Sequence, residues 1–167
     1  MEQLLITPER CLGCHSCELA CAVEHSEAKD LIGAVLKKEQ PVARIFVETD
    51  GRSNLPLQCR HCEEPYCVYA CMSGAMKKDE ETKRVSVDQD RCVGCWMCVM
   101  ACPFGAIVQD TMQRVINKCD FCPDKKEPAC TAACPTGALR LMEVSDFSKE
   151  KRQKYLTVFP KNIQGEV

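Results

Sequence analysis

Cysteine is the residue type that most constrains what this chain can fold into. Of its 167 residues, 16 are cysteines, and they fall into four groups with none left over. The groups are Cys11, Cys14, Cys17 and Cys21; Cys59, Cys62, Cys67 and Cys71; Cys92, Cys95, Cys98 and Cys102; and Cys119, Cys122, Cys130 and Cys134. Leu, Ile, Val and Phe contribute only 36 residues, near the level at which chains stop folding unaided. We therefore expect a group bound by the cysteines to replace part of the hydrophobic core.

The spacing of these cysteines favours iron-sulfur clusters. The first and third motifs read C-x2-C-x2-C-x3-C, the ligand run of bacterial-type ferredoxins. The second and fourth keep C-x2-C at the start and C-x3-C at the end. Three thiolates two residues apart on a tight loop can reach three corners of one cube, while the fourth cysteine ligates a neighbouring cluster. The motifs then work in pairs, so the sequence predicts four [4Fe-4S] clusters with all sixteen cysteines as iron ligands.

Zinc and disulfide bonds are the other uses of dense cysteine. Four all-cysteine zinc sites would also use every cysteine, but zinc sites usually combine two C-x2-C knuckles from separate segments. Here residues 11–17 already hold three ligands. Disulfides are disfavoured by the close spacing and by the lack of a basic, then apolar, export signal before Cys11. A zinc-stabilised interaction scaffold stays the alternative from a different functional class.

Charge and hydropathy exclude several functions. Lys and Arg (22) nearly balance Asp and Glu (24), so we expect no nucleic-acid partner. No apolar run approaches the roughly 20 residues that span a bilayer, so we expect a cytoplasmic chain that reaches a membrane only through a partner. The sequence lacks P-loop, dinucleotide-binding and nucleophile-elbow motifs, so we expect no substrate chemistry of its own.

Short elements between the motifs predict an α+β fold. Brief strands are expected at residues 4–6, 43–48, 84–87, 107–108, 114–116 and 139–142, and short helices at 18–25, 96–101 and 129–133. A Gly-Ala pair follows three of the motifs and is expected to turn the chain from a helical turn into a strand. The link over 27–57 is expected to hold one hairpin arm, and residues 145–159 a helix with a basic face that is either solvated or docked on a partner.

The motifs resemble a known family. The segments CLGCHSCELACAVEH from Cys11, LQCRHCEEPYCVYAC from Leu57, RCVGCWMCVMACPFGAI from Arg91, and KCDFC from Lys118 with PACTAACPTGAL from Pro128 are similar to the motifs of four-cluster ferredoxin-like subunits of redox complexes. Dimethyl sulfoxide reductase, formate dehydrogenase and formate hydrogenlyase contain such subunits. The AVEHS and PLQCRHC stretches are most similar to the iron-sulfur partner of carbon monoxide dehydrogenase.

The resemblance implies how the motifs pair. It implies two bacterial-ferredoxin-like modules related by pseudo-twofold symmetry, residues 1–26 with 110–144 and residues 55–109, plus an insertion at 27–54 and a tail at 145–167. It also implies the four ligand sets, which are Cys11, Cys14, Cys17 and Cys134; Cys119, Cys122, Cys130 and Cys21; Cys59, Cys62, Cys67 and Cys102; and Cys92, Cys95, Cys98 and Cys71.

The function expected from this resemblance is electron transfer without catalysis. The subunit would pass single electrons between a catalytic redox subunit, most plausibly carbon monoxide dehydrogenase, and an acceptor such as a hydrogenase, a ferredoxin or an NAD-linked oxidoreductase. A molybdenum enzyme as partner and a freely diffusing ferredoxin are the alternatives. Some charged residues beside the ligands either raise cluster potentials or are solvated loop charges. They are Arg60, Arg91, Lys118, Lys125 and Lys126. His15 and His61 are expected at the surface or in hydrogen bonds, and Tyr66 and Trp96 in packing.

Overall fold

The computed structural model describes residues 2–158, and its strands form four separate two-stranded antiparallel sheets. Each sheet is small because the strands are only three to five residues long. The pairs are β1 (Glu2–Ile6) with β8 (Leu139–Glu143), β2 (Ile45–Thr49) with β3 (Asn54–Gln58), β4 (Met76–Lys78) with β5 (Val85–Val87), and β6 (Ile107–Asp110) with β7 (Val115–Lys118).

Helices complete the α+β architecture. They are α1 (Ser16–Glu24), α2 (Leu31–Leu36), α3 (Tyr66–Tyr69), α4 (Met97–Ala101), α5 (Ala129–Ala132) and α6 (Val144–Val158), and a 3-10 turn covers Pro8–Arg10. In the packed structure α1 lies against α5, and α3 lies against α4. Helices from the first and fourth motifs therefore meet, as do helices from the second and third.

The predicted strands and helices are confirmed to within a few residues, and four further elements were not predicted. These are α2, α3, β3 and β4, each six residues or shorter, so they contain too few residues to show a period. The signal that could have located α2 is Asp30, whose carboxylate accepts a hydrogen bond from the backbone N–H of Gly33 at 2.8 Å and caps the helix.

Two hydrophobic clusters form the core. One contains Leu4, Cys17, Cys21, Ile45, Phe121, Cys130 and Leu139. The other contains Met76, Val85, Cys98, Ile107 and Ile116. Cysteine contributes to both clusters, so the ligand residues themselves occupy positions that apolar side chains fill in other proteins.

The Gly-Ala pairs act as predicted. Gly74, Gly105 and Gly137 have φ values of +66°, +62° and +62°. Each glycine N–H donates to the carbonyl of its motif's last cysteine at 3.3 Å. In each case a strand begins two residues later, which is the role expected of a left-handed residue after a helical turn.

The C-terminal helix α6 packs on β1 and β8. Arg140 of β8 pairs with Glu150 at 2.7 Å, and its guanidinium lies 5.7 Å from the centre of the Phe147 ring. Lys151 pairs with Glu9 at 3.6 Å. Residues 159–167 of the predicted tail, including the last residue of its predicted helix, lie outside the described residues. Within residues 2–158, no helix is long and apolar enough to cross a membrane.

Candidate metal centres

Each cysteine motif places its third cysteine at the same point of a helix. Cys17, Cys67, Cys98 and Cys130 are the second residues of α1, α3, α4 and α5. The first two cysteines of each motif lie in the loop before the helix. The repeated arrangement explains why the C-x2-C pair is kept in all four motifs even though the spacing to the third cysteine varies.

The tight turn before the second cysteine uses a left-handed backbone in all four motifs. Gly13 and Gly94 occupy this position in the first and third motifs, with φ values of +67° and +63°. His61 and Phe121 occupy it in the second and fourth, with φ values of +45° and +69°. These two rings contact each other edge to face, with centroids 4.7 Å apart. The strained positions of the second and fourth motifs therefore meet.

The electrostatic neighbours of the thiols indicate which cysteines lie together in the first and fourth motifs. The Ser16 hydroxyl and N–H lower the pKa of Cys14, and the charge of Cys134 opposes them. Burial raises the pKa of Cys130, and the thiolate charges of Cys119, Cys21 and Cys122 add to it. Cys14 thus lies near the last cysteine of motif four, and Cys130 lies near Cys21, the last cysteine of motif one, with Cys17 making the smallest contribution.

In the second and third motifs, too, the last cysteine of each motif lies near thiols of the other. Burial raises the pKa of Cys67 to about 11, and the charges of Cys59 and Cys102 contribute. Burial also raises the pKa of Cys98, followed by the charge of Cys71. Cys102 and Cys71 are the last residues of motifs three and two, so each lies beside the thiols of the other motif.

Three of the four last cysteines, Cys21, Cys71 and Cys134, have hydrogen-bond donors directed at their sulfur atoms. The N–H of Met76 donates to Cys71 Sγ at 3.4 Å, and the N–H of Arg44 donates to Cys21 Sγ at 3.2 Å. At Cys134, burial raises the pKa, but the N–H of Leu139 and other donors outweigh burial and lower it overall. Donors directed at sulfur stabilise thiolate and are one of the features that tune iron-sulfur clusters.

The donor chemistry fits four [4Fe-4S] clusters. All sixteen cysteines are free thiols, grouped in neighbourhoods of soft sulfur ligands that suit iron-sulfur clusters. Burial raises the pKa of several of these thiols, and that of Cys17 reaches about 11. Without a cation such thiols stay protonated. Metal binding would release their protons and couple binding to folding.

The family models match most of this cysteine-bearing region. The 4Fe-4S dicluster domain matches residues 52–144, and a 4Fe-4S binding domain matches residues 8–24. The protein belongs to the 4Fe-4S dicluster family of electron-transport proteins. Together the two matches cover all sixteen of its cysteines.

Named relatives of the protein agree in size and role. It is 40% identical over 156 residues to an iron-sulfur protein of Rhodospirillum rubrum, covering 84% of this sequence and 81% of the relative. It is 35% identical over 176 residues to electron transport protein HydN of Escherichia coli K12, covering 93% and 98%. It is 35% identical over 158 residues to the B subunit of anaerobic dimethyl sulfoxide reductase from the same organism, covering 87% and 75%. The protein is therefore an electron-transfer iron-sulfur protein.

A charged network beside Cys21 was missed by the sequence reasoning. His25 Nδ1 lies 2.7 Å from the Cys21 carbonyl oxygen, and its Nε2 lies 3.3 Å from Asp120, which also pairs with Arg44. Burial raises the pKa of Asp120, but His25 and Arg44 hold it well below its usual range. Asp120 directly follows Cys119, but its partners lie 95 and 76 positions away, so spacing gave no signal.

The same network gives the one candidate for a separate metal ion among residues 2–158. Donor atoms of His25, Asp120 and Cys122 lie within 4.8 Å of one another. Cys122 is one of the expected iron ligands, and Asp120 already contacts the Arg44 guanidinium. We therefore assign these residues to the surroundings of the fourth motif rather than to another site.

The predicted charged and aromatic positions divide into buried and exposed groups. Lys118 is buried, whereas Lys125 pairs with Glu24 at 2.6 Å on the surface and Lys126 is exposed. Trp96 packs against the second core cluster as predicted. Tyr66, the first residue of the short helix α3, is 59% exposed and its ring contacts only that of Tyr69 among described aromatic rings, so the expectation that it packs was wrong.

His61 is a hydrogen-bonding residue, as predicted, while His15 is exposed and pairs with Glu18 at 2.8 Å. The backbone N–H of Val85 donates to His61 Nδ1 at 2.9 Å. Burial, followed by the charges of Lys118 and Arg84, lowers the pKa of His61 to about 3. A neutral His61 thus accepts through Nδ1, which leaves the proton on Nε2.

Proposed function

We propose that this protein relays single electrons through four [4Fe-4S] clusters between a catalytic redox subunit and an acceptor protein. The observation that carries the proposal is a continuous series of thiol neighbourhoods. Burial raises the pKa of Cys119 to about 12, and the charge of Cys59 from the other half of the molecule contributes to this shift. One thiol of the second motif therefore lies beside one of the fourth, which supports passage of electrons between the halves.

The two halves are each held together by helices that bear cysteines for two sites. Helix α1 carries Cys17 and Cys21, and α4 carries Cys98 just before Cys102. In our proposal Cys21 and Cys102 ligate the cluster of the partner motif, so one helical turn joins two neighbouring clusters. The series would then run from motif three through motifs two and four to motif one.

The proposed ligand sets follow the thiol neighbourhoods. One cluster is held by Cys11, Cys14, Cys17 and Cys134, the next by Cys119, Cys122, Cys130 and Cys21, the third by Cys59, Cys62, Cys67 and Cys102, and the last by Cys92, Cys95, Cys98 and Cys71. Two modules related by a pseudo-twofold axis are proposed around them. The two core clusters support this division, although Ile116 packs in the second, so we move the boundary from residue 110 to residue 118.

Each cluster, when bound, accepts and releases one electron. The residues of this chain set how easily that happens. Buried cysteines exclude water from the thiols, and the N–H groups of Arg44 and Met76 donate to sulfur at the crossing ligands Cys21 and Cys71. Both burial and hydrogen bonding to sulfur are recognised determinants of cluster potential.

We propose docking surfaces at the two ends of the series. Cys14 and Cys95, the second cysteines of the first and third motifs, are exposed, whereas Cys122 of the fourth motif is buried. Leu12 and Val93 follow the first cysteines of the same two motifs and are 68% and 66% exposed. An apolar rim around an exposed ligand suits a protein partner that must approach the cluster closely.

Carbon monoxide dehydrogenase is the catalytic partner we propose. The likeness of residues 22–26 and 56–62 to its iron-sulfur partner supports this choice. A relative named as the B subunit of anaerobic dimethyl sulfoxide reductase favours a second candidate, the electron-transfer subunit of a molybdenum reductase. The two candidates share the same cluster series and differ in the protein docked at its end.

Anaerobic co-purification tests the partner. The full-length chain with an affinity tag is isolated from its host without oxygen, and the associated proteins are identified by mass spectrometry. We expect a carbon monoxide dehydrogenase subunit in near-equal amount. Recovery of a reductase subunit instead would support the second candidate, and recovery as a stable monomer would support a freely diffusing ferredoxin and overturn both.

Metal analysis tests the clusters separately. We expect about sixteen iron atoms per chain, with broad absorption near about 400 nm from thiolate-to-iron charge transfer. A colourless protein that holds zinc would overturn the iron-sulfur assignment and leave the zinc-stabilised scaffold. The zinc-substituted protein, prepared by refolding in zinc, serves as the control because it retains the ligands but lacks the colour.

A further inference from the structure

Lys118 is a buried cation. It is the last residue of β7 and directly precedes Cys119, yet only 1% of its surface is exposed. Its ammonium donates to the carbonyl oxygen of Val85 and, at 2.7 Å, to that of Cys119. Across residues 2–158, no carboxylate lies within ion-pairing distance of it. A buried charge without a counter-charge is costly, so the structure calls for negative charge nearby.

The charge of Lys118 reaches thiols of two different sites. Burial raises the pKa of Cys119, and the ammonium of Lys118 opposes that rise. Burial likewise raises the pKa of Cys67, a residue of the second motif, and Lys118 opposes that rise as well. The ammonium and the His61 ring of the second motif both hold Val85, the first at its carbonyl oxygen and the second at its N–H. The His61 ring also contacts the ring of Phe121 in the fourth motif, with centroids 4.7 Å apart. The cation therefore lies between the second and fourth motifs.

The matched position before the second motif lacks the charge. Gln58 is the last residue of β3 and directly precedes Cys59, as Lys118 precedes Cys119. It is also buried, with 2% of its surface exposed, and its Nε2 donates to the carbonyl oxygen of Leu4 at 3.3 Å. Each side chain thus donates to a backbone carbonyl of another strand, Lys118 to Val85 in β5 and Gln58 to Leu4 in β1. Because a neutral glutamine performs this bridge, the positive charge of Lys118 serves a purpose beyond holding strands together.

We propose that Lys118 is a shared electrostatic residue that stabilises the reduced state of the two clusters facing the junction between the halves. This inference rests on the ligand sets of the proposed function. An oxidised cube with four thiolates carries about two negative charges, and reduction by one electron from the catalytic partner adds another. A fixed cation nearby favours that addition and raises the potentials of the second and fourth clusters relative to the outer two.

The expected shift follows from the size of one charge. A unit charge about 10 Å away, in a medium of effective dielectric constant about 20, changes a one-electron equilibrium by roughly tenfold. Tenfold corresponds to about 59 mV for a one-electron couple. The predicted effect is therefore within reach of an anaerobic redox titration followed by electron paramagnetic resonance.

The test uses the isolated full-length chain with its clusters assembled. In K118Q, which keeps a donor and removes the charge, we expect two of the four midpoint potentials to fall by about the tenfold equivalent while two stay unchanged. K118R, which keeps the charge, should leave all four near their original values. K126Q is the control, because Lys126 lies in the same motif-four segment but is exposed.

Two outcomes in K118Q overturn the inference. They are K118Q with full iron content and four unchanged potentials, and K118Q in which all four shift alike. If K118Q does not retain its clusters, the potentials of Q58K are measured instead. A cation added at the matched position should raise the same two potentials, and the absence of a rise would overturn the inference. An iron content far below about sixteen atoms per chain would instead show that the proposed ligand sets are wrong. If only the proposed partner is wrong, these potentials can still be measured.

Discussion

Replacing Gly94 with alanine is expected to damage the third motif by two separable effects. Gly94 has a φ of +63°, so an alanine there bears the cost of a left-handed backbone, about 1–2 kcal/mol. A Cβ at this position would also lie 2.4 Å from the carbonyl oxygen of Arg114. Ordinary contacts of this kind begin near 3.4 Å, so the backbone must move by about 1 Å to restore one. Overpacking of this kind adds about 1–3 kcal/mol.

Gly105 is the matched control. Its φ of +62° is nearly the same, but a Cβ there would meet nothing within 4 Å. Gly105 follows the last cysteine of motif three, and Gly94 lies between the first two, so both substitutions act beside ligands of the same motif. G105A should therefore show the backbone cost alone, and the difference between G94A and G105A isolates the collision with the Arg114 carbonyl.

The assay is the thermal loss of cluster absorbance, followed without oxygen at one fixed heating rate because the loss is irreversible. For a chain of this size, each kcal/mol lowers the midpoint by about 2–4 °C. We expect G105A to fall by roughly 2–8 °C and G94A by roughly 2–12 °C more. Equal midpoints for the two variants would refute the reasoning, since the collision would then cost nothing.

Three further predictions test the site and the tail. C98S should perturb the cluster of its own motif, and C102S should perturb the cluster of motif two. The number and shape of the electron paramagnetic resonance signals show which cluster changes. Loss of the motif-one signal in C102S would show a different pairing. D120N should destabilise the protein by about 1–3 kcal/mol, because it leaves the partly buried side chains of His25 and Arg44 without their carboxylate. D124N, at a side chain that is 83% exposed, is the control and should have no measurable effect on the melting midpoint. Removal of residues 145–167 should leave iron content unchanged, since the cysteines all precede this segment; lost iron would assign the tail a role in the metal centres.

The cysteine spacing carried most of what could be predicted of the site. A C-x2-C pair on a tight loop needs a left-handed turn, and Gly94 marks that turn in the sequence. The same conformation at His61 and Phe121 carries no such mark, because aromatic side chains adopt it only where surrounding structure imposes it. The spacing also could not decide which motifs share ligands, since that choice depends on contacts between distant segments.

Burial was the property that could not be predicted from the sequence. A lysine beside a cysteine is usually a solvated charge, and only the packing of β5 against β7 shows that Lys118 is enclosed. The network joining His25 and Asp120 was hidden for the same reason, because its members are 95 positions apart. Short elements such as β4, with three residues, offer no period from which to predict them.

The pairing of the first strand with the last has a consequence for how the chain is made. Glu2 lies opposite Glu143, whereas β4 pairs with β5 and β6 pairs with β7 through short hairpins. On a ribosome that adds about 5–20 residues per second, β1 waits roughly 7–27 s for its partner strand. The middle of the chain can assemble during that time. The first cysteine motif to leave the ribosome is thus the last to be enclosed, and during the interval its thiols are open to oxidation and to delivery of iron and sulfide.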